Sequence, residues 1–128
     1  MNVLLDTHIF IWWTLNDTRL SVALRLELEA PANGVFLSAA SVWELCIKHE
    51  LGRIGLPENP EDWVRRYYRD YDIGPLSIAY EHALAIRQLP PKHKDPFDRM
   101  LIAQARVENM RLASLDRMIR QYDVPLLP

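Results

Sequence analysis

The sequence predicts an α/β fold, a mostly parallel β-sheet covered by helices on both faces, and three observations carry the prediction. Short apolar runs of strand type, Val3-Leu4-Leu5, Val35-Phe36-Leu37 and Leu112-Ala113, alternate along the chain with longer segments of helical periodicity. Alternation of this kind implies parallel strands joined by right-handed crossovers. The first and last runs lead into carboxylates, Asp6 and Asp116, and open parallel sheets keep their sites at the carboxyl ends of strands. At 128 residues, 49% of them hydrophobic, the chain fits a single domain, residues 1–128, with one sizeable core.

In chain order, Val3–Leu5 makes the first strand, and Asp6 or Thr7 stands where the following helix needs a cap. Ile9–Leu15 is apolar and aromatic, a short helix with most of its surface covered, and Asn16-Asp17-Thr18 closes it as a turn. Leu20, Leu24 and Leu28, supported by Val22 and Leu26, define the next helix, with Ser21 near its start and Pro31 beyond its end. Gly34 opens a second buried strand, Val35–Ser38, and Ser38–Ser41 lead into a helix that runs to Gly52. On that helix Val42, Leu45, Cys46 and His49 follow the i, i+3, i+4, i+7 pattern, while Ser41, Glu44 and Lys48 share another face.

Gly55, Pro57 and Pro60 mark a loop, after which Trp63, Val64, Tyr67, Tyr68 and Tyr71 make one helical face and Arg65, Arg66 and Arg69 the opposite one. Ile73–Leu76, interrupted by Gly74-Pro75, suits an edge strand, and Ser77 caps a helix to about Leu89. Pro90–Lys94 is an extended basic loop. Asp95-Pro96-Phe97-Asp98 is a helix start, with Asp95 at the N-cap and Pro96 at the first helical position. This helix stops near Asn109; Arg111–Asp116 then repeats the pattern of an apolar strand ending on an aspartate. Arg117–Tyr122 suits one helical turn and Val124–Leu127 a last strand.

Composition narrows the function. The net charge of −2 provides no overall basic field of the kind that announces nucleic-acid binding, although local basic patches remain open. The longest apolar stretch, Ile9–Trp13, falls well short of the ~20 residues of a membrane helix, and no export signal precedes it, so a soluble cytoplasmic protein is expected. The single cysteine, Cys46, excludes an internal disulfide and reads as a buried structural thiol. The histidines show no zinc-type spacing.

In a parallel sheet the carboxyl ends of the strands and the amino ends of the helices that follow them lie along one edge. Asp6 and Asp116 end strands, and Glu44 and Asp98 stand in the first turns of helices, so all four acids can meet there. Two of them also have a local reading: Asp6 as a cap and Glu44 as an exposed i,i+4 partner of Lys48. Four clustered carboxylates resist ionisation, because each raises the pKa of the others, and a divalent cation relieves the conflict. Oxygen-only ligands select Mg²⁺ or Mn²⁺ over zinc. Such ions engage phosphates, acidify a bound water and stabilise charge at phosphorus, so a phosphoryl substrate is expected.

Four stretches in order, LLDTHIFIWW, SAASVWELCIKHELGRI, HKDPFDRMLIAQA and LASLD, resemble the PIN-domain ribonucleases, and more narrowly the VapC toxins of bacterial type II toxin–antitoxin pairs. The resemblance samples nearly the whole chain. It implies a three-layer α/β/α sandwich and a Mg²⁺- or Mn²⁺-dependent endoribonuclease, often homodimeric, that leaves a 5′-phosphate and a 3′-hydroxyl. The family's acidic quartet carries over to Asp6, Glu44, Asp98 and Asp116. Asp6, Asp98 and Asp116 then serve mainly as metal ligands, and Glu44 serves metal-bound water as ligand or proton acceptor. Asp98 is preferred to Asp95 because it lies before Leu101-Ile102-Ala103, where the family pattern has its helix-borne carboxylate; Asp95 is accounted for by capping, with outer support of the metal as its second option.

The resemblance also implies a VapB-like antitoxin that wraps the toxin and can place an Arg or Lys in the acidic site. The antitoxin would supply DNA binding, with none expected from this chain. Around the quartet, Thr7 and Ser38 either cap locally or orient an acid. Arg99 is open to contact with RNA phosphate, to balancing the acids or to a surface salt bridge. The arginine stripe is either solvated surface or an RNA contact. His8, His82 and His93 have no arrangement that demands catalysis; His93, flanked by Lys92 and Lys94, is the best RNA contact of the three.

Two other classes stand beside the nuclease. A phosphatase or phosphoacceptor domain would use Asp6 as nucleophile, but His8 occupies the place of the paired aspartate and no lysine follows an obvious strand end after Ser38. A non-catalytic interaction module would use the aromatics around Trp12, Trp13 and the Tyr67–Tyr71 helix, which core packing explains equally. Retention of all four acids argues against it.

Overall fold

In the computed structural model, which describes residues 1–122 and 124–127, all four strands run parallel in the order β3-β2-β1-β4. The strands are β1 (Asn2–Leu5), β2 (Gly34–Ser38), β3 (Gly74–Leu76) and β4 (Arg111–Ala113). Between them lie α1 (Thr7–Thr14), α2 (Val22–Glu29), α3 (Ala39–Glu50), α4 (Pro60–Asp70), α5 (Tyr80–Ala85) and α6 (Pro96–Val107), with 3₁₀ turns at Ile86–Gln88 and Ile119–Gln121. β1 pairs with β2 through Val3–Val35 and with β4 through Leu4–Leu112. The order reverses at β1, so the crevice between the carboxyl ends of β1 and β4 is a topological switch point, where open α/β sheets bind ligands.

The two-residue period of the strands divides the core into two layers. Val3, Leu5, Val35 and Leu37 pack on one side with Phe10, Leu24, Leu28 and Trp63, while Leu4 and Leu112 pack on the other with Leu101, Ile102 and Ala105. This is the three-layer α/β/α arrangement the sequence implies. Local signals start the helices as expected. Ser21 Oγ accepts from Leu24 N, Asn59 Oδ1 from Asp62 N with Pro60 following, and Asp95 Oδ1 from both Phe97 N and Asp98 N with Pro96 following. β3 takes the edge position that Gly74-Pro75 suggests, and Gly74 is needed there: a Cβ would lie 2.7 Å from Phe36 Cδ1.

Four expectations change. Val22 and Leu26 face solvent, so the buried stripe of α2 is Leu24 and Leu28 alone, with Leu20 packed ahead of the helix. Ser77 does not cap α5, which begins at Tyr80; Ala79 N donates to His82 Nδ1 instead, and the Ser77 carbonyl accepts from Gln104 Nε2. Cys46 is half-buried, not enclosed. Val124–Leu127 contributes a single parallel bridge, Leu112–Leu126, in place of a strand, since Pro125 has no N–H for a ladder. Among the described residues no helix is long and apolar enough to cross a membrane.

Candidate metal centre

Asp6 follows β1 directly and is both cap and site residue. Its Oδ1 accepts from His8 N (3.0 Å), capping α1, and its Oδ2 accepts from the Ser114 hydroxyl (2.6 Å). The parallel register causes this meeting: Leu5 pairs with Ala113, Asp6 N donates to the Ala113 carbonyl, and Ser114 therefore stands beside Asp6. Ser114 Oγ also accepts from Asp116 N (3.1 Å), so one hydroxyl ties the two acids together. Asp116 lies three residues beyond the end of β4, correcting the expectation that it ends the strand; Ser114 follows the strand as Asp6 follows β1. From that turn Asp116 Oδ1 accepts from Met118 N (2.7 Å).

Asp98, the third residue of α6, is 8% exposed and lies 2.7 Å from His93 Nε2 through its Oδ2. Burial, followed by the charges of Asp6, Asp95 and Glu44, pushes its carboxyl up to about 7, with the His93 hydrogen bond opposing. His93 Nε2 also lies 3.8 Å from Asp116 Oδ2, and one ligand atom from each of His93, Asp98 and Asp116 falls within 4.8 Å of the others. Glu44, in the second turn of α3, is only 2% exposed. Its Oε2 is ion-paired with Lys48 Nζ, whereas its Oε1 is buried without a hydrogen-bond partner among the described residues. The expected i,i+4 pair thus exists, but on a buried acid. A cleft of about 220 Å³ between Asp6 and Asp116 is walled by His8, Ile9, Trp12 and Leu115. The Asp6 carboxylate raises the His8 pKa by hydrogen bonding and charge, against the lowering effects of burial and Lys48.

The sequence model of the PIN domain matches residues 3–125. The chain belongs to the PIN domain family. It is 32% identical over 126 residues to Ribonuclease VapC22 of Mycobacterium tuberculosis, an alignment that covers 96% of this chain and 93% of that protein. A shorter alignment, 38% identical over 50 residues, relates 39% of the chain to 36% of Ribonuclease VapC16 of the same organism. Among solved structures, VapBC2 from Rickettsia felis bound to a DNA fragment from their promoter superposes with a TM-score of 0.74 at 16% identity, covering 100% of this chain and 98% of that one. VapBC-1 from nontypeable Haemophilus influenzae gives 0.67 at 20% identity, covering 99% and 97%. At such identities the likeness is one of fold.

Within this PIN domain the other candidates sort by contact. Ser38 caps α3 through Ala40 N (3.0 Å) and donates to Gln104 Oε1 (2.6 Å), while Thr7 donates to Ser41 Oγ (2.9 Å); among the described residues neither hydroxyl is hydrogen-bonded to an acid. Arg99 donates to the carbonyls of Ile86, Leu89, Pro90 and His93 and to the Tyr122 hydroxyl, pinning the loop that carries His93, a structural role the sequence did not suggest. Arg65, Arg66 and Arg69 are paired with Glu61, Glu58 and Asp70, which favours the solvated-surface reading. His82 is enclosed and held by Ala79 N, Gln104 and Glu108. Sequence reasoning missed His93 and Ser114 as members of the acidic site. For His93 a signal was present, since it stands five residues before Asp98 on the same approach to α6; for Ser114 the only one was its place directly after an apolar run, as Asp6 follows Val3-Leu4-Leu5.

The donor set fits a hard divalent cation. Carboxylates crowd a buried edge where one oxygen of Glu44 has no partner and Asp98 resists ionisation, the condition a cation relieves. The imidazole of His93 adds a nitrogen, which Mn²⁺ accepts more readily than Mg²⁺.

Proposed function

We propose that residues 1–128 form a single metal-dependent endoribonuclease domain of VapC type, acting in the cytoplasm on RNA and restrained by a VapB-like antitoxin. The observation that carries this reading is the buried Oε1 of Glu44, without a partner among the described residues, whose charge together with that of Asp6 reaches Asp98, itself grouped with Asp116 and His93. The name of the relative VapC22, a ribonuclease, and the VapBC assemblies among the structural neighbours support it.

Asp6, Asp98 and Asp116 would hold the cation, with His93 in reach of the last two. Bound there, Mg²⁺ or Mn²⁺ supplies Lewis-acid charge against the phosphate and acidifies water. The chain's own groups orient and deprotonate. Ser114 and the His8 amide fix the Asp6 carboxylate, and Ser114 also fixes the turn of Asp116. Glu44 Oε1 is free to accept the proton of the attacking water while Lys48 steadies Oε2. The water oxygen joins phosphorus, the P–O3′ bond breaks, and a proton ends on the departing 3′-oxygen. Phospho-aspartate chemistry at Asp6 has less support, since both of its oxygens are engaged.

Purified protein incubated with Mn²⁺ and RNA should cleave it, EDTA should stop the reaction, and Asp6→Asn or Asp116→Asn should abolish it. Metal-loaded protein that binds RNA yet leaves it intact would sink the proposal. Expression without antitoxin should arrest growth, and sedimentation should give a homodimer.

A further inference from the structure

Beside the acidic cleft lies a basic one. The two share His8 and Trp12, and the second, of about 470 Å³, is also walled by Arg19, Lys48, Arg53 and Ile54. It has room for a nucleotide-sized ligand. Arg53 is exposed and makes no ion pair among the described residues, in contrast to the α4 arginines, each of which has a carboxylate. The Arg19 guanidinium lies over the Trp12 ring, 5.0 Å from its centroid, and the His8 ring lies 5.9 Å from the same ring, tilted at 47° to it, so the wall is rich in planar groups. Lys48 reaches Glu44 from this cleft, which makes it the junction between the two.

We propose that this basic cleft seats the single-stranded RNA that flanks the scissile phosphate, with Arg53 pairing a backbone phosphate and the Trp12–Arg19 stack receiving a base. The inference rests on the ribonuclease reading of the neighbouring acids. A polyanion approaching buried carboxylates needs local cations, because a net charge of −2 supplies no overall attraction. Among the described residues Arg53 is the cation in the cleft without a carboxylate partner. Arg19 is held by Asp17 (2.7 Å) and so contributes its planar face more than its charge. Flat side chains beside a cationic groove are how strands are bound without sequence readout.

The test is fluorescence anisotropy with a labelled single-stranded RNA of about 12 nucleotides, in EDTA so that nothing is cut, across a range of salt. Arg53→Gln and Arg19→Gln should each weaken binding about 5–10-fold, and Arg53→Gln should reduce the slope of log K against log salt by about 0.7. Arg65→Gln, which removes the same charge from the paired α4 stripe, should change neither. Folding is protected, since Arg53 is exposed and its backbone N–H to the Lys48 carbonyl survives substitution. Equal losses in the Arg53 and Arg65 variants would overturn the proposal, as would an Arg53-dependent affinity for polyglutamate but not RNA, which would assign the cleft to an acidic protein segment. If wild type cuts RNA with Mn²⁺ and the Arg53 and Arg19 variants bind and cut alike, the cleft is wrong and the nuclease stands. Arg53-dependent binding without cleavage under any divalent ion would support the cleft and remove the nuclease.

Discussion

Asp98→Asn should stabilise the metal-free chain at alkaline pH, although it removes a group proposed for the site. Burial and the charges of Asp6, Asp95 and Glu44 raise the Asp98 carboxyl from its ordinary 3.8 to about 7. A raised carboxyl pKa means that the folded chain holds the proton more tightly than the unfolded one. Its contribution is therefore most favourable at low pH, declines as pH rises from about 4 to about 7, and stays lost above that. The full displacement corresponds to at most roughly 4 kcal/mol, of which roughly 2–3 falls between pH 5 and pH 8. Asparagine carries no charge at either pH, so the stability difference between variant and wild type should widen in the variant's favour by up to that amount as pH rises. Urea unfolding in EDTA at the two pH values measures it. Adding Mn²⁺ should then reverse the order, since an ion that binds only the folded wild type stabilises it by mass action. An unchanged difference across pH, or equal stabilisation of both proteins by Mn²⁺, would refute the electrostatic account of the cluster.

Three further outcomes follow from the geometry. Ser114→Ala removes the donor to Asp6 Oδ2 and the acceptor of Asp116 N, and should lower kcat/KM in Mn²⁺-dependent RNA cleavage about 10–100-fold, with Ser114→Thr recovering part of it. Asp95→Ala leaves Phe97 N and Asp98 N without their cap, and should cost about 1 kcal/mol in denaturant unfolding while retaining cleavage, which separates capping from the chemistry assigned to Asp98. Gly74→Ala drives a methyl against the Phe36 ring and should cost about 1–3 kcal/mol, a loss that shrinks in a Phe36→Leu background if the contact at 2.7 Å is the cause.

Several of these features were open to reading in the sequence because their causes are local. The N-caps at Ser21 and Asp95, the edge position of Gly74-Pro75 and the apolar runs of β1, β2 and β4 depend on residues within a few positions of one another. The errors lie where a local signal competed with packing. Val22 and Leu26 have the composition of a buried stripe, yet only the Leu24–Leu28 side of α2 joins the core. Ser77 is a good capping residue, but its carbonyl is taken by Gln104 on α6, and the helix begins later at Tyr80.

The candidate site divides in the same way. Which carboxylates stand at strand and helix ends is a property of the sequence alone, because period and punctuation determine the ends of elements. What those carboxylates experience is decided by contacts between distant segments. Asp6 meets Ser114 across 108 positions only because the β1–β4 register aligns Leu5 with Ala113. Glu44, which the i,i+4 spacing presents as one half of an exposed pair with Lys48, becomes a buried acid with an unpartnered oxygen once α3 packs against α6 and the sheet edge. His93 reaches Asp98 because Arg99 and Tyr122 hold its loop. The residue types were thus set by sequence, whereas burial, register and charge crowding came from tertiary structure, since desolvation and Coulomb energy depend on distances the chain acquires only on folding.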